Sequence, residues 1–175
     1  MQQLLKASAI LSAGFGIILV CAGSWGIVFT CQNVAAEKMV TPDDASIAGA
    51  PVRGPLTLKA QADVIRTHML GTSGGKSFAE MPRQVPRLDE HGQPVLGSDG
   101  KPVMQANAAR DMWITVTTLR TALHLGILTY AFSGLAVARG LLLTVNGMAF
   151  GALSKRKSLF LPPASAGAQP NRKAD

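Results

Sequence analysis

The sequence predicts a mainly α-helical membrane protein with two transmembrane helices, the second long and extending outside the bilayer, and a small mixed extracytoplasmic loop region. Three observations predict it. The hydrophobic residues, 47% of the 175, gather in two blocks instead of spreading as an amphipathic pattern. The polar stretch between the blocks is electrically neutral, and a basic cluster follows the second block.

The first block runs uncharged from Ala7 to Thr30 after Lys6. At about 1.5 Å per residue it spans roughly 36 Å, enough for a hydrocarbon core of about 30 Å. Residues 7–31 therefore read as the first transmembrane helix, after a cytoplasmic N-terminus of residues 1–6. A cleaved signal peptide is the rival, because Val34-Ala35-Ala36 offers small residues at a cleavage-site spacing. The apolar stretch is far longer than the usual h-region of about 7–15 residues, which favours an anchor. Ser8, Ser12 and Gly16 fall four apart, and Gly26 follows Ala22 by four. Small residues at that spacing let another helix backbone approach closely, so these five are the helix-packing candidates. Cys21 and Cys31, ten residues apart on one helix, cannot bond to each other.

Residues 32–103 form the loop. Between Cys31 and Asp111, nine basic residues (Lys38, Arg53, Lys59, Arg66, Lys76, Arg83, Arg87, Lys101, Arg110) meet nine acidic ones (Glu37, Asp43, Asp44, Asp63, Glu80, Asp89, Glu90, Asp99, Asp111). The formal net charge of +7 thus comes from elsewhere. Met39-Val40-Thr41 reads as a short strand, and the Pro and Gly residues of 42–55 as turns. A helix is expected over 57–70, with Leu58, Ala62, Ile65 and Met69 on its apolar face and Gly71 as its stop. Gly71-Thr72-Ser73-Gly74-Gly75-Lys76-Ser77 lacks the spacing of a phosphate-binding loop, since Leu70 stands where its first glycine belongs. Gly92-Gln93-Pro94-Val95 and Gly100-Lys101-Pro102-Val103 are similar turns eight residues apart, suited to a small exposed hairpin.

From Met104 a helical pattern continues without proline to Leu153. Fifty residues extend roughly 75 Å, over twice the hydrocarbon thickness. The expectation is an extramembrane part over 104–125, packed on the 57–70 helix with Trp113 near the membrane interface, and a second transmembrane helix over 126–153. Arg139 interrupts that span, where a charge costs about 2.5–3.5 kcal/mol on insertion scales. Either it contacts a partner subunit, lipid headgroup or carboxylate inside the membrane, or the span shifts to about 121–138. In the second case Arg139 reaches the cytoplasmic surface and 140–153 lies along it.

Lys155-Arg156-Lys157 directly after the second block assigns that end to the cytoplasm and offers contact to anionic lipid. With two crossings, the N-terminus is cytoplasmic too. Residues 154–175 are read as a basic disordered cytoplasmic tail, and the protein as a multi-pass protein of the plasma membrane. No aromatic residues interleave with the tail charges, which argues against nucleic acid.

His68, His91 and His124 show no metal-ligand spacing, and no nucleophile elbow is present. No catalytic, cofactor-binding or metal-binding residue is assigned. One polar cluster is conceivable where the loop meets the extramembrane helix: Asp63, His68, Glu80, Arg120 and His124, with Arg120 and His124 on one helix face.

The ordered stretches Ala36-Glu37-Lys38, Asp43-Asp44-Ala45, Gly54-Pro55, Gln61-Ala62-Asp63-Val64-Ile65 with His68, Gly74-Gly75-Lys76-Ser77-Phe78-Ala79-Glu80 and Leu119-Arg120-Thr121-Ala122-Leu123 together carry a resemblance. The chain resembles a family of small uncharacterised actinobacterial two-span membrane proteins over most of residues 7–150. Its members often bear the label of aromatic ring-opening dioxygenases. The resemblance implies two spans, an outer loop and no established activity. The labelled chemistry generally needs iron held by two His and one carboxylate, a set these spacings do not offer. Residues 84–106 and Arg139 depart from the family pattern and inherit no role from it. The sequence thus points to a non-enzymatic accessory, scaffold or regulatory component of the cell envelope, with membrane lipids and another membrane protein or a second copy as partners. The alternative is a ligand-binding protein or enzyme with its site between the outer loop and the exposed part of the second helix.

Overall fold

Two long apolar helices make up most of a computed structural model that describes residues 2–159. Helix α1 covers Gln2–Ala36 and helix α3 covers Ala108–Leu159. Between them lie α2 (Pro55–Thr72), a single 3-10 turn (Phe78–Glu80), and the strands β1 (Gln84–Pro86) and β2 (Met104–Ala106). The tail expected to be disordered lies, beyond Leu159, outside the described residues.

Both long helices are long and apolar enough to cross a membrane. Their most apolar 18-residue windows are only 11% and 6% buried within the chain, so they are not the core helices of a soluble domain. Phe15, Ile18, Trp25, Phe132, Leu135 and Leu142 are all at least half exposed. The described residues divide into two units, 2–26 with 132–159, and 27–131. α1 and α3 each contribute a segment to both.

In the second unit the core forms as two clusters. Val52, Leu58, Ala62 and Leu123 are buried together, flanked by Val34, Met39, Ile65, Ile127 and Tyr130. Met69, Met81 and Trp113 form the other, flanked by Leu70, Ala109 and Val116. The apolar face expected on α2 is the one that enters these cores. α2 itself is longer than expected at both ends. Pro55 fits its first turn, where no amide donor is needed. The Thr57 hydroxyl accepts from the amides of Arg53 and Gly54 at 3.1 and 3.2 Å. Gly71 is not the stop, because the Ser73 amide still bonds Met69 O at 2.9 Å. The chain turns at Gly74 and Gly75, whose φ of 61° and 79° suit residues without a Cβ. Thus the glycine-rich 71–77 segment closes a helix.

The start of the second long helix also moves. Met104–Ala106 is strand, not helix, paired antiparallel with Gln84–Pro86. Asn107 sets the boundary: its Oδ1 accepts from the Arg110 amide at 3.4 Å, and its Nδ2 donates to Pro82 O at 3.0 Å. The side chain thus caps α3 and ties it to the loop. Beyond β1 and β2, the eight-residue spacing acquires a structural meaning. The Arg87 amide donates to Val103 O, Val103 to Val95 O and Val95 to Arg87 O, at 2.8, 2.8 and 2.9 Å. Three residues eight apart close a ring of backbone hydrogen bonds. Positive φ at Gly92 and Gly100 makes the two turns that return the chain to it.

Residues 39–52 form a closed loop, with Val52 N donating to Met39 O at 2.9 Å and an isolated bridge between Val40 and Pro51. The strand expected at Met39-Val40-Thr41 is reduced to that bridge. Thr41 is 2% exposed, and its hydroxyl both donates to Ala50 O and accepts from Ala50 N.

Candidate functional site

In the first unit, glycines bring the segments of α1 and α3 into backbone contact. A Cβ added at Gly140 would lie 2.6 Å from Gly16 O and 2.8 Å from Val20 N. One at Gly147 would lie 2.7 Å from Ala13 N, and one at Gly23 would lie 2.6 Å from Ser133 O. Residue numbers fall along α3 as they rise along α1, so the segments run antiparallel.

Contacts recur every seven residues, at Gly16 and Gly23 on one segment and at Ser133, Gly140 and Gly147 on the other. A seven-residue repeat keeps one stripe of a helix facing its partner, as in a left-handed coil. Of the five packing candidates read at four-residue spacing, Gly16 is buried, Gly26 meets Ser133, and Ser12 is half-buried. Ser8 and Ala22 are exposed. Gly23, Gly140 and Gly147 were missed, although their sevenfold spacing is plain in the sequence.

In the second unit the five polar candidates take separate partners. Asp63 pairs with Lys59 one turn away on α2. His68 Nε2 lies 2.6 Å from Asp44 Oδ2, linking α2 to the 39–52 loop. That hydrogen bond holds the Asp44 carboxyl below the usual aspartate range. Glu80 accepts from the hydroxyl and amide of Ser77, both at 2.6 Å, and is lowered for the same kind of reason. Arg120 Nε donates to Ala62 O at 3.0 Å, joining α3 to α2 through backbone and not through Asp63. His124 Nδ1 lies 2.7 Å from Arg120 O, within its own helix. Only His68 ties a loop to a helix and Arg120 a helix to a helix; the other three bond within their own segment, and the five do not converge on one point.

Trp113 is buried within the chain, at 5% exposure. Its Nε1 donates to Lys76 O at 3.1 Å, so the indole finds apolar cover and a polar partner together. Arg110 stacks over Phe78 beside it, 3.9 Å from the ring centre.

A cleft of about 300 Å³ in the second unit is lined by Asn33, Glu37, Met39, Leu58, Leu119 and Leu123 among others. None of the five polar candidates lines it. Among the described residues, no three His, Cys, Asp or Glu side chains come together as a metal donor set, so the iron implied by the ring-opening label finds no fitting ligands.

Arg139 is exposed and, among the described residues, has no hydrogen-bond or ion-pair partner. α3 is one uninterrupted helix through this point, and Gly147 beyond it remains pressed on Ala9 and Ala13. Residues 140–147 therefore continue along α1. Of the basic trio, Lys155 is exposed and shares a small cavity with Lys6, Ala9, Ile10, Gly151 and Ser154. The side chains of Arg156 and Lys157 lie outside the described residues. No family model, curated protein or solved structure matches the chain.

Proposed function

We propose that the chain is a two-span membrane protein with both ends cytoplasmic and residues 32–103 outside. It acts as a non-enzymatic accessory, scaffold or regulatory component of the cell envelope, in contact with lipid and with another membrane protein. The observation that carries this reading is the uncovered apolar surface of α1 and α3, 11% and 6% buried in their most apolar windows. Surface of that extent requires lipid or protein around it. Lys6 and Lys155 at one cavity supply basic residues at the same end of the antiparallel pair, where cytoplasmic retention acts. The resemblance to the actinobacterial two-span family accords with this reading and adds no catalytic role.

The polar candidates are engaged in structural bonds, His68 to the 39–52 loop and Arg120 to the backbone of α2, which favours a binding or scaffolding role over catalysis. Crosslinking of the full-length protein in native membranes, followed by purification in mild detergent, tests it. Defined adducts with another membrane protein support the proposal; a lone monomer with no adduct contradicts it.

A second reading, a ligand-binding protein, draws on the cleft beside Leu58 and Leu123. At about 300 Å³ it stands at the lower end of small-molecule sites. Its apolar lining would take a lipid tail or similar group. Native mass spectrometry of protein purified from its own membrane, with retained lipid lost on Leu119→Trp, would favour it.

A further inference from the structure

The heptad that packs α3 on α1 leaves a second heptad on α3 uncovered. Phe132, Leu135, Arg139, Leu142, Asn146 and Leu153 follow a spacing of three, four, three, four and seven. This is the seam of a coiled coil read at alternating core positions. All six are exposed, Phe132, Leu135, Leu142 and Leu153 by 63%, 55%, 60% and 54%. Arg139 and Asn146 occupy equivalent positions two turns apart, roughly 10 Å along the helix. Among the described residues, neither side chain has a hydrogen-bond or ion-pair partner.

The depth of Arg139 follows from its neighbour. Gly140 meets Gly16 and Val20, which straddle the midpoint of the uncharged run Ala7–Thr30. If that run spans the hydrocarbon core, Arg139 stands near mid-depth, roughly 15 Å from either edge, too far for one side chain to snorkel easily. A cation there needs a partner. The spans contain no Asp or Glu from Ala7 to Thr30 or from Met112 to Leu153, so a second copy cannot supply a carboxylate at that level. Parallel self-pairing of the seam would instead set Arg139 against Arg139, which repels.

We infer that the Phe132–Leu153 seam of α3 docks a transmembrane helix of a different membrane protein, one carrying an Asp or Glu at mid-depth opposite Arg139. Asn146 adds a second hydrogen-bonding group that fixes the register, as a lone polar core residue does in a coiled coil. The leucines and Phe132 supply the packing between them. This inference rests on the two-span reading and names the chemistry of its partner.

The probe is a set of synthetic Leu-Ala transmembrane peptides with a single central Glu, Gln or Leu. Their association with fluorescently labelled full-length protein is read by energy transfer at pH 8, in phosphatidylcholine vesicles with and without phosphatidylglycerol. The Glu peptide is expected to associate at least tenfold more strongly than the Leu peptide. Arg139→Leu, which eases insertion and touches none of the glycine contacts, is expected to erase that preference. Arg139→Lys is expected to retain most of it, and Asn146→Leu to weaken it severalfold. Equal association of all three peptides overturns the inference, as does a Glu preference that survives Arg139→Leu. Loss of the preference only with phosphatidylglycerol assigns Arg139 to lipid phosphate and overturns it too. Energy transfer between two labelled copies that requires Arg139 would overturn it in favour of self-association. Accessibility labelling of the same vesicles separates the levels of the argument: correct two-span insertion without a Glu preference defeats this inference alone, whereas failed insertion defeats the two-span reading.

Discussion

Gly16 and Gly140 face each other so closely that a Cβ on either would stand 2.6 Å from the carbonyl oxygen of the other. The obstructing atoms are backbone, which cannot rotate aside. Gly140→Ala is therefore expected to separate the helix segments and cost about 1–3 kcal/mol, as overpacking does. Gly134→Ala is the control, with nothing within 4 Å of the added methyl. It is expected to be neutral or stabilising by up to about 1 kcal/mol, because alanine favours helix. Unfolding of the two variants in mixed detergent and SDS measures the difference.

Asp44 and His68 give the 39–52 loop an acid sensitivity. The Asp44 carboxyl is held below its ordinary value by the His68 hydrogen bond, so the folded state binds the Asp44 proton less readily than the unfolded state. Its contribution is present above the usual aspartate range, about pH 4, and is lost as pH falls through the lowered value. Protection of the amides in residues 39–52, taken relative to their intrinsic exchange rates, is expected to fall below about pH 4. Asp44→Asn is expected to show faster exchange already at neutral pH, with a smaller acid step. An unchanged acid step in that variant would assign the effect to another carboxylate.

Trp113 closes the cluster with Met69 and Met81 and bonds Lys76 O. Trp113→Phe is expected to cost about 1 kcal/mol for the lost hydrogen bond, and Trp113→Ala about 3–5 kcal/mol for the cavity. Limited proteolysis of the full-length protein in detergent, read at 73–83, checks the order. Greater sensitivity in the phenylalanine variant would contradict it.

Long apolar runs made the two helices legible in the sequence, the first charge-free and the second broken by few charges. The α2 face of Leu58, Ala62, Ile65 and Met69 was legible for the same kind of reason. Boundaries were harder to read. Met104–Ala106 fits a helical pattern, but its pairing with Gln84–Pro86 is a tertiary fact eighteen or more residues away. The burial of Trp113 within the chain was not legible, because its partner, Lys76 O, comes from a segment thirty-seven residues earlier. The four-residue spacing picked out Gly16 and Gly26, which contact α3, together with the exposed Ser8 and Ala22. The sevenfold spacing of Gly16 with Gly23 and of Gly140 with Gly147 is in the sequence too, but only the contacts show that these glycines pack the two segments together.

The polar candidates illustrate a separate limit. Sequence placed Asp63, His68, Glu80, Arg120 and His124 near one another, yet it could not show that Lys59, Asp44 and Ser77 satisfy three of them first. Local partners one helical turn or one loop away compete well against convergence, since they order few extra residues. Arg139 stood out from the beginning, whereas Asn146 gained meaning only when both were found on one uncovered seam.

Lys155, Arg156 and Lys157 carry the proposed orientation together. Replacing all three with Gln is expected to yield a mixture of orientations, because too few basic residues then mark the cytoplasmic end. Protease protection of the loop in intact cells reads the mixture. A single unchanged orientation would transfer that role to Lys6 or to the later tail charges.

The most direct test of the two-span proposal is cysteine accessibility in intact cells, in a background where Cys21 and Cys31 are replaced by Ala. A membrane-impermeant maleimide is expected to label Ser46→Cys and Ser98→Cys, both exposed between the two long helices, without permeabilisation. Gln3→Cys and a cysteine appended after Asp175 are expected to react only after permeabilisation. Labelling of Gln3→Cys and Ser98→Cys on the same side would contradict the account.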